Sequence, residues 1–200
     1  MRVAVGPVVD EVIVGAIETP AGAFGVALSP LGLGRLTFPA EPLADREAWV
    51  RRWLPGARVL QDGRGLAALR DQLSEYLEGR RRHFTVPLDL RGTPFQTRVW
   101  RELCAIPYGR TRTYAEVARA IGRPRAVRAV GLANGANPIP ILVPCHRVVG
   151  TGGGLTGYGG GLAMKRRLLA LEGAWPGARL EDIETRPDNP GPLSEEEART

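Results

Sequence analysis

A cysteine and a histidine stand side by side at Cys145 and His146, and Arg147 follows them. A thiolate is a strong nucleophile, and a neighbouring imidazole or guanidinium favours the thiolate over the thiol. The apolar run over 139–143 comes directly before them and predicts an extended segment that enters the core. These residues are candidates for a reaction site centred on Cys145, and the alternative is an inert thiol that the core simply covers.

Two short helices are predicted upstream of the cysteine. Thr113 suits the N-cap of a helix over 114–121, with Glu116 at the capping-box position and Gly122 at the end. A second helix is predicted from Pro124 to about Leu132 or Ala133, so the pair is typical of a DNA-binding helix-turn-helix. This second helix combines arginines with small residues: Arg123, Arg125, Ala126, Arg128, Ala129 and Gly131. Small residues allow close approach either to another helix or to a nucleic-acid groove, and the arginines favour the groove.

The rest of the chain predicts two domains and a tail. Residues 3–38 read as an antiparallel meander with turns at 19–22 and 31–32, followed by helices over 43–54 and 64–78 and a short strand over 86–90. Thr93 and Pro94 begin an amphipathic helix in which Cys104 is expected near the buried side. The fold class is therefore an α/β N-terminal domain over 1–90 and a mainly α C-terminal domain over 91–175. Nothing in the first domain suggests catalytic machinery, and the acidic tail over 176–200 is expected to be disordered.

Composition limits the class of protein. The net charge of +6 is the balance of +11 over residues 1–180 and −5 over residues 181–200, and a basic body suits a polyanionic partner such as nucleic acid. Arginine makes up all but one of the 27 basic residues, so a compositional bias toward arginine is the alternative explanation. The two cysteines fit a reducing cytosol and no disulfide scaffold, and no apolar run reaches the length of a membrane span. We therefore expect a cytoplasmic protein.

Several motifs together resemble the O6-alkylguanine-DNA alkyltransferase family. The segment Pro144-Cys145-His146-Arg147-Val148-Val149 matches the active-site motif of that family. Further matches are Pro107-Tyr108-Gly109, Thr113-Tyr114, Asn137-Pro138 and Leu171-Glu172-Gly173. The resemblance is dense over 94–173 and looser over 1–90. It implies an N-terminal RNase H-like domain with a small antiparallel sheet and helices, and a C-terminal domain that carries a helix-turn-helix.

The resemblance also implies the activity. Family members repair O6-alkylguanine, mainly O6-methylguanine, in duplex DNA by moving the alkyl group onto their own cysteine, so each molecule acts once. Cys145 would be the acceptor, His146 would activate it through a water, and Glu172 would hold His146. Tyr114 would protonate the leaving guanine at N3. No cofactor is expected, and the protein is expected to act as a monomer that can bind DNA cooperatively.

The remaining site residues follow from the same resemblance. Arg128 would take the place of the flipped nucleotide in the stack, and the second helix would lie in the minor groove through Arg125, Ala126, Ala129 and Gly131. The substrate pocket would include Asn137, which braces the turn before the cysteine segment, and the backbone of Val148, Tyr158 and Gly159. Gly159 stands where some relatives have serine, which removes a hydroxyl contact and predicts an altered tolerance of bulky alkyl groups or inhibitors.

A second departure from some relatives concerns a metal site. Some relatives bind a structural zinc ion in the N-terminal domain, but no cysteine precedes Cys104 here and His83 is the only histidine of that domain, so no metal site is expected.

Alkyltransferase-like proteins bind the same lesions without the cysteine, and Cys145 argues against that class. A helix-turn-helix regulator would read the major groove, and a Cys-His hydrolase would turn over.

Overall fold

An antiparallel meander opens the part of the chain that the computed structural model describes, which is residues 11–39, 41–60 and 64–175. Strand β1 spans Glu11–Thr19, β2 spans Gly22–Ser29 and β3 spans Gly32–Thr37, and each pairs with the next. The turn between β1 and β2 requires φ of 101° at Gly22, a value that glycine adopts readily. The predicted meander is thus confirmed, while its residues 3–10 and the predicted tail over 176–200 lie outside the described residues.

A fourth strand, β4 at Arg58–Leu60, pairs in parallel with β1 and gives the strand order β3-β2-β1-β4. Three residues are too few for a periodic pattern, so this strand was not predicted. The strand predicted over 86–90 is reduced to a single bridge between Leu33 and Leu88. Pro87 has no backbone N–H to extend the ladder, which explains the short pairing.

Two helices cover opposite faces of this sheet. Helix α1, Leu43–Trp53, packs on one face in a cluster that contains Val12, Val14, Ala27, Trp49, Val50 and Leu54. A short 3-10 turn at Arg64–Leu66 leads into helix α2, Ala67–Leu77, which packs on the other face. The buried side of α2 carries Leu69, Leu73, Tyr76 and Leu77. Both predicted helices are confirmed, and α2 joins the sheet to the main core.

Helix α3, Pro94–Cys104, begins the C-terminal part of the chain with the predicted cap. Thr93 and Gln96 form a capping box, and Val99, Trp100 and Leu103 are buried. Cys104 is exposed, so its predicted place near the core is wrong. Cys104 is the last residue of the helix.

Helices α4, Tyr114–Ala120, and α5, Val127–Gly135, follow α3 and pack against it. The predicted capping box of Thr113 and Glu116 is present. The second helix begins at Val127 and not at Pro124, because residues 123–126 form a turn in which the Ala126 N–H donates to the Arg123 carbonyl at 2.9 Å. It also runs on to Gly135, beyond its predicted end.

Two links position the segment that carries the cysteine. The Trp100 indole N–H donates to the carbonyl of Ala133 at 2.8 Å, which fixes α5 on α3. The Leu36 N–H donates to the Pro138 carbonyl at 2.9 Å, which joins β3 to the loop after α5. Strand β5, Arg112–Thr113, pairs in parallel with β6, Val148–Val149, and helix α6, Gly161–Leu171, closes the described chain. Within the described ranges, no helix has both the length and the apolar character needed to cross a bilayer.

The capping box of α4 is expected to contribute measurably to the free energy of unfolding. Thr113 and Glu116 hold the first turn of the helix that begins with Tyr114. Thr113→Ala is expected to lower the free energy of unfolding by about 1 kcal/mol, because it leaves a helix N–H without its acceptor. Urea denaturation measures the loss. Thr111→Ala, an exposed threonine outside the helix, is the matched control and is expected to change little; equal losses in the two variants would contradict the capping role.

Candidate functional site

Two consecutive tight turns deliver Cys145 into the core. The Leu142 N–H donates to the Pro140 carbonyl at 3.0 Å across Ile141, whose φ of 73° makes it the only described residue other than glycine with a positive φ. The Cys145 N–H then donates to the Val143 carbonyl at 2.8 Å across Pro144. The first is a γ-turn and the second, with φ −79° and ψ 63° at Pro144, is an inverse γ-turn. The apolar run is therefore buried but sharply folded, and the prediction of an extended segment is wrong.

Asn137 holds this folded loop at both ends. Its side-chain N–H donates to the Val143 carbonyl at 2.8 Å, and its side-chain oxygen accepts from the Ile139 N–H at 3.0 Å. A positive φ at a β-branched residue is strained, so Ile141 needs such bonds to keep its conformation. Asn137 thus lies between the end of α5 and the cysteine segment and is bonded to the loop that joins them.

The carboxylate of Glu172, just after α6, is the centre of a buried network. Its Oε1 accepts from His146 Nε2 at 2.9 Å and from Arg147 Nη2 at 2.8 Å. Its Oε2 accepts from Arg147 Nε at 2.9 Å and from the Gly109 N–H at 3.2 Å. Charge-assisted bonds of this kind are about twice as strong as neutral ones, so the network locks His146 and Arg147 in place.

Burial and charge shift the pKa values of the network in opposite directions. Burial alone would raise the pKa of Glu172, but the bonds from His146 and Arg147 outweigh it and lower that pKa to about 2. Burial lowers the pKa of His146 despite its bond to Glu172. Glu172 is therefore ionised near neutral pH, whereas His146 can change its protonation state.

The Cys145 thiol lies in an environment that favours its protonated form. Burial raises the pKa of Cys145 to about 11, while the Asn137 side chain and the Lys165 ammonium act in the opposite direction. Since the thiolate is the nucleophile, the proton of the thiol needs an acceptor during any reaction. His146 Nδ1 is buried and has no hydrogen-bond partner among the described residues, so it is the candidate acceptor.

Lys165 is fully buried and supports the wall beside the thiol. This residue is the only lysine of the chain, and its Nζ donates to the Val148 carbonyl at 2.7 Å and to the Thr156 carbonyl at 3.2 Å. Burial lowers the pKa of Lys165, and a negative charge on Cys145 would act in the opposite direction. The ammonium thus ties the glycine-rich segment to the strand after the cysteine.

Cys145 opens into a cleft of about 800 Å³. The C-terminal part of the chain contributes one wall: Tyr114, Arg128, Gly131, Asn137, Tyr158 and Gly159. The Tyr114 hydroxyl and the Thr156 hydroxyl are 2.9 Å apart across this wall. The N-terminal part contributes the other, through Arg35, Phe38 and Glu41. Phe38 packs edge-on against Tyr158 with ring centroids 5.5 Å apart, so both parts of the chain build the cleft.

Comparisons with known proteins agree with this arrangement. Residues 94–174 match the family model described as 6-O-methylguanine DNA methyltransferase, DNA binding domain, and residues 12–90 match the model of its ribonuclease-like domain. The inducible methylated-DNA–protein-cysteine methyltransferase of Bacillus subtilis is 46% identical over 74% of this chain and 83% of its own length. The chain belongs to the methylated-DNA–protein-cysteine methyltransferase family.

Other relatives extend the match to an archaeon and to a solved complex. A Methanosarcina barkeri methyltransferase of this family is 57% identical over 78% of this chain and 94% of its own length. The crystal structure of Mycobacterium tuberculosis OGT in complex with DNA superposes with a TM-score of 0.69. The two are 45% identical, and the match covers 81% of this chain and 93% of that one. The fold of this methyltransferase is thus a small N-terminal sheet with helices, followed by a helical DNA-binding domain.

The structure brings most of the predicted site residues of this methyltransferase together. One cleft is lined by Cys145, Tyr114, Asn137, Tyr158, Gly159, Arg128 and Gly131. His146, next to Cys145 in sequence, is buried and bonded to Glu172. Ala129 is exposed on α5. Arg125 and Ala126 precede α5, in contrast to their predicted place on the second helix. Val148 is buried, and its carbonyl accepts from Lys165. Their chemical roles are still predictions.

Sequence reasoning missed part of the site. Tyr76 on α2 donates to Glu172 Oε1, a contact between the N-terminal part of the chain and the buried network that the sequence did not indicate. Phe38 lines the cleft, and Lys165 is buried. The buried face of α2 was visible in the leucine pattern, and a buried tyrosine hydroxyl needs a partner. The identity of that partner could not be read from the sequence. Among the described residues, no group of three His, Cys, Asp or Glu side chains could hold a metal ion.

Glu172→Gln is expected to destabilise the protein strongly. The substitution would leave the buried Arg147 guanidinium without its counter-charge, which costs about 3–5 kcal/mol of unfolding free energy. Chemical denaturation at pH 7 measures the loss. Glu102→Gln is the matched control, because Glu102 pairs with the more exposed Arg112 and should lose about 1 kcal/mol or less.

The pH dependence of the unfolding free energy is a second, independent test of the role of Glu172. Because the pKa of Glu172 is lowered from 4.5 to about 2, its stabilising contribution is complete above pH 4.5 and is lost as the pH falls towards 2. The stability of Glu172→Gln should vary less across this window than that of the unsubstituted protein. Two parallel pH profiles would contradict the assignment of Glu172 as the buried anion.

Proposed function

We propose that this methyltransferase repairs DNA by direct reversal, moving the alkyl group of O6-alkylguanine, mainly O6-methylguanine, onto Sγ of Cys145. A bond forms between sulfur and the alkyl carbon as the bond between that carbon and guanine O6 breaks. The proton of the thiol passes to His146, and the guanine anion that leaves takes up a proton. The observation that carries the proposal is a buried thiol that lines a cleft and is followed in sequence by a histidine held by a buried carboxylate.

The proposed activation uses the two nitrogens of His146 differently. Nε2 faces the Glu172 carboxylate at 2.9 Å and therefore carries a proton, which leaves the lone pair of the neutral ring on Nδ1. Nδ1 is buried without a protein partner among the described residues, which suits a water that bridges it to the thiol. Glu172 then stabilises the imidazolium that forms as the thiol loses its proton.

The proposed leaving-group donor is Tyr114. Its hydroxyl is partly exposed in the cleft beside Thr156 and can point at guanine N3, where charge develops. The carbonyls of Cys145 and Val148 would accept from the guanine amino group. Each already accepts one hydrogen bond, from the Val148 N–H and from Lys165 respectively, and each carbonyl oxygen has a second lone pair. The backbone of Tyr158 and Gly159 would line the O6 side.

Helices α4 and α5 would act as the DNA-binding helix-turn-helix, with α5 in the minor groove. The solvent-facing side of α5 carries Arg128, Ala129 and the most exposed large apolar side chain described, Leu132 at 77% exposure. Small and apolar groups suit close contact with deoxyriboses, and arginines upstream suit the phosphates. In stacked DNA, O6 lies on the major-groove edge, out of reach of a buried thiol on a protein that binds the minor groove. The nucleotide must therefore flip out, and Arg128, which lines the cleft, would fill its place in the stack.

The proposal extends to the organisation of the molecule. The two domains would divide near residue 91, with an RNase H-like fold in the first. The protein would act as a cytoplasmic monomer without a cofactor, with duplex DNA that contains the lesion as its partner. The M. tuberculosis OGT complex with DNA supports this partner, because that structure superposes on most of the present chain.

Mass spectrometry tests the acceptor directly. After incubation with an O6-methylguanine duplex, one added methyl group is expected on the peptide that contains Cys145. Cys145→Ala should abolish transfer yet still bind the duplex. Cys104→Ala, which removes the exposed cysteine, should transfer normally. An unmodified Cys145 peptide alongside repaired DNA would refute the proposal.

Arg128→Ala separates base flipping from chemistry. Transfer from the duplex should slow by at least about tenfold, because unstacking a base costs a few kcal/mol that the arginine offsets. Transfer from the free base O6-methylguanine requires no flipping and should be unchanged. Single-turnover rates measure both, and Arg51→Ala on the surface of α1 is the control for lost positive charge. Equal slowing with both substrates would contradict the proposed role of Arg128.

A further inference from the structure

Tyr76 brings the N-terminal part of the chain into contact with the reaction network. The residue lies on α2 and is fully buried. Its hydroxyl donates to Glu172 Oε1 and lies 3.4 Å from His146 Nε2. Its ring packs against Phe84 and Tyr108, with centroids 5.1 Å and 6.2 Å away. The hydroxyl is therefore held at one point, between the carboxylate and the imidazole.

The Tyr76 hydroxyl acts on Glu172 as a hydrogen-bond donor. Burial and the Glu172 carboxylate raise the pKa of Tyr76 well above its ordinary value, so the hydroxyl keeps its proton. Oε1 thus receives hydrogen bonds from Tyr76, His146 and Arg147 at once. Among the described donors to this carboxylate, Tyr76 alone comes from the N-terminal sheet-and-helix unit.

We propose that Tyr76 is a positioning residue for the reaction at Cys145: its hydroxyl holds the Glu172 carboxylate and so fixes Nε2 as the proton-bearing nitrogen of His146. The inference rests on the proposed function, since it assigns His146 a part in that reaction. Nδ1 is left free for the thiol as a consequence. The N-terminal domain then contributes to the chemistry and not only to the scaffold.

The Tyr76 hydroxyl also weakens the stabilisation that the Glu172 carboxylate gives to the protonated form of His146. A carboxylate that accepts an additional hydrogen bond carries less negative charge toward its other partners. Removing the hydroxyl should therefore strengthen the attraction between Glu172 and the imidazolium. This removal leaves in place the other charged and titratable groups around His146 and Tyr76, which are Cys145, Arg147, Lys165, Tyr108 and Tyr158.

Nitrogen NMR of the imidazoles tests this inference without DNA. The chain has only two histidines, so the signals of exposed His83 and buried His146 can be assigned by comparison. In the unsubstituted protein, the neutral form of His146 is expected to carry its proton on Nε2. In Tyr76→Phe, which keeps the ring, the titration midpoint of His146 should rise by about half a pH unit or more.

Tyr108→Phe is the matched control. Its hydroxyl donates to the Leu171 carbonyl at 3.0 Å and not to the carboxylate, so loss of that bond should lower stability without moving the His146 midpoint. A His146 titration in Tyr76→Phe that overlays the original one, or that moves to lower pH, would overturn the proposal. So would a proton on Nδ1 in the neutral form of the unsubstituted protein, a result that does not require the variant to fold.

These readouts are independent of alkyl transfer. If Cys145 accepts no methyl group but the His146 midpoint moves as expected, the proposed function fails and the placement of Tyr76 stands. If transfer occurs and the midpoint does not move, the function stands and the positioning role fails.

Discussion

The buried carboxylate of Glu172 is the interaction on which the rest of the site depends. An ionised carboxylate inside a protein is costly unless every oxygen is hydrogen-bonded and its charge is balanced. Here Arg147 balances the charge, and the remaining acceptor positions take up His146, the Gly109 N–H and Tyr76. Meeting this requirement draws α2, the segment after α3, the cysteine loop and the end of α6 to one point. The same bonds fix the orientation of the His146 imidazole.

The thiol is held under a second constraint, which is conformational. Asn137 closes the loop in which Ile141 adopts a positive φ, and the inverse γ-turn at Pro144 then places Cys145 at the end of the cleft. A nucleophile fixed in this way loses little entropy when an electrophile arrives. Its product would be a thioether, which neither His146 nor water can cleave as they would an acyl intermediate. The same Cys-His pair that would turn over in a hydrolase therefore ends, in this chemistry, as a spent acceptor.

Local patterns predicted the parts of the fold that depend on neighbouring residues. Alternation and leucine spacing predicted the meander and the two helices of the sheet unit. The residue types predicted the N-cap at Thr93 and the capping box of Thr113 and Glu116. The resemblance to a family, carried by the motif around Cys145, indicated Glu172 and Tyr114, which no local pattern could have joined to it. These two residues lie 27 and 31 positions away from Cys145 in sequence.

The features that the sequence did not predict have a common physical cause. Each depends on contacts between segments or side chains that local patterns do not join. Tyr76 reads as one more apolar position on α2 until Glu172 is placed against its hydroxyl. Lys165 reads as a surface cation until two backbone carbonyls are found at its ammonium. The folded shape of 139–143 depends on the side chain of Asn137, and the late start of α5 depends on the turn at 123–126. Composition and periodicity contain no information on any of these partners.

The proposed network accepts one proton from the Cys145 thiol, and the site has no group that could release the alkyl group from the sulfur. Titration of a fixed amount of protein with increasing O6-methylguanine duplex tests it most directly, with restored guanine counted at the end point. Repair is expected to stop at one guanine restored per protein molecule, however long the incubation. Repair that continues beyond one equivalent would contradict it, because the cysteine would then be regenerated.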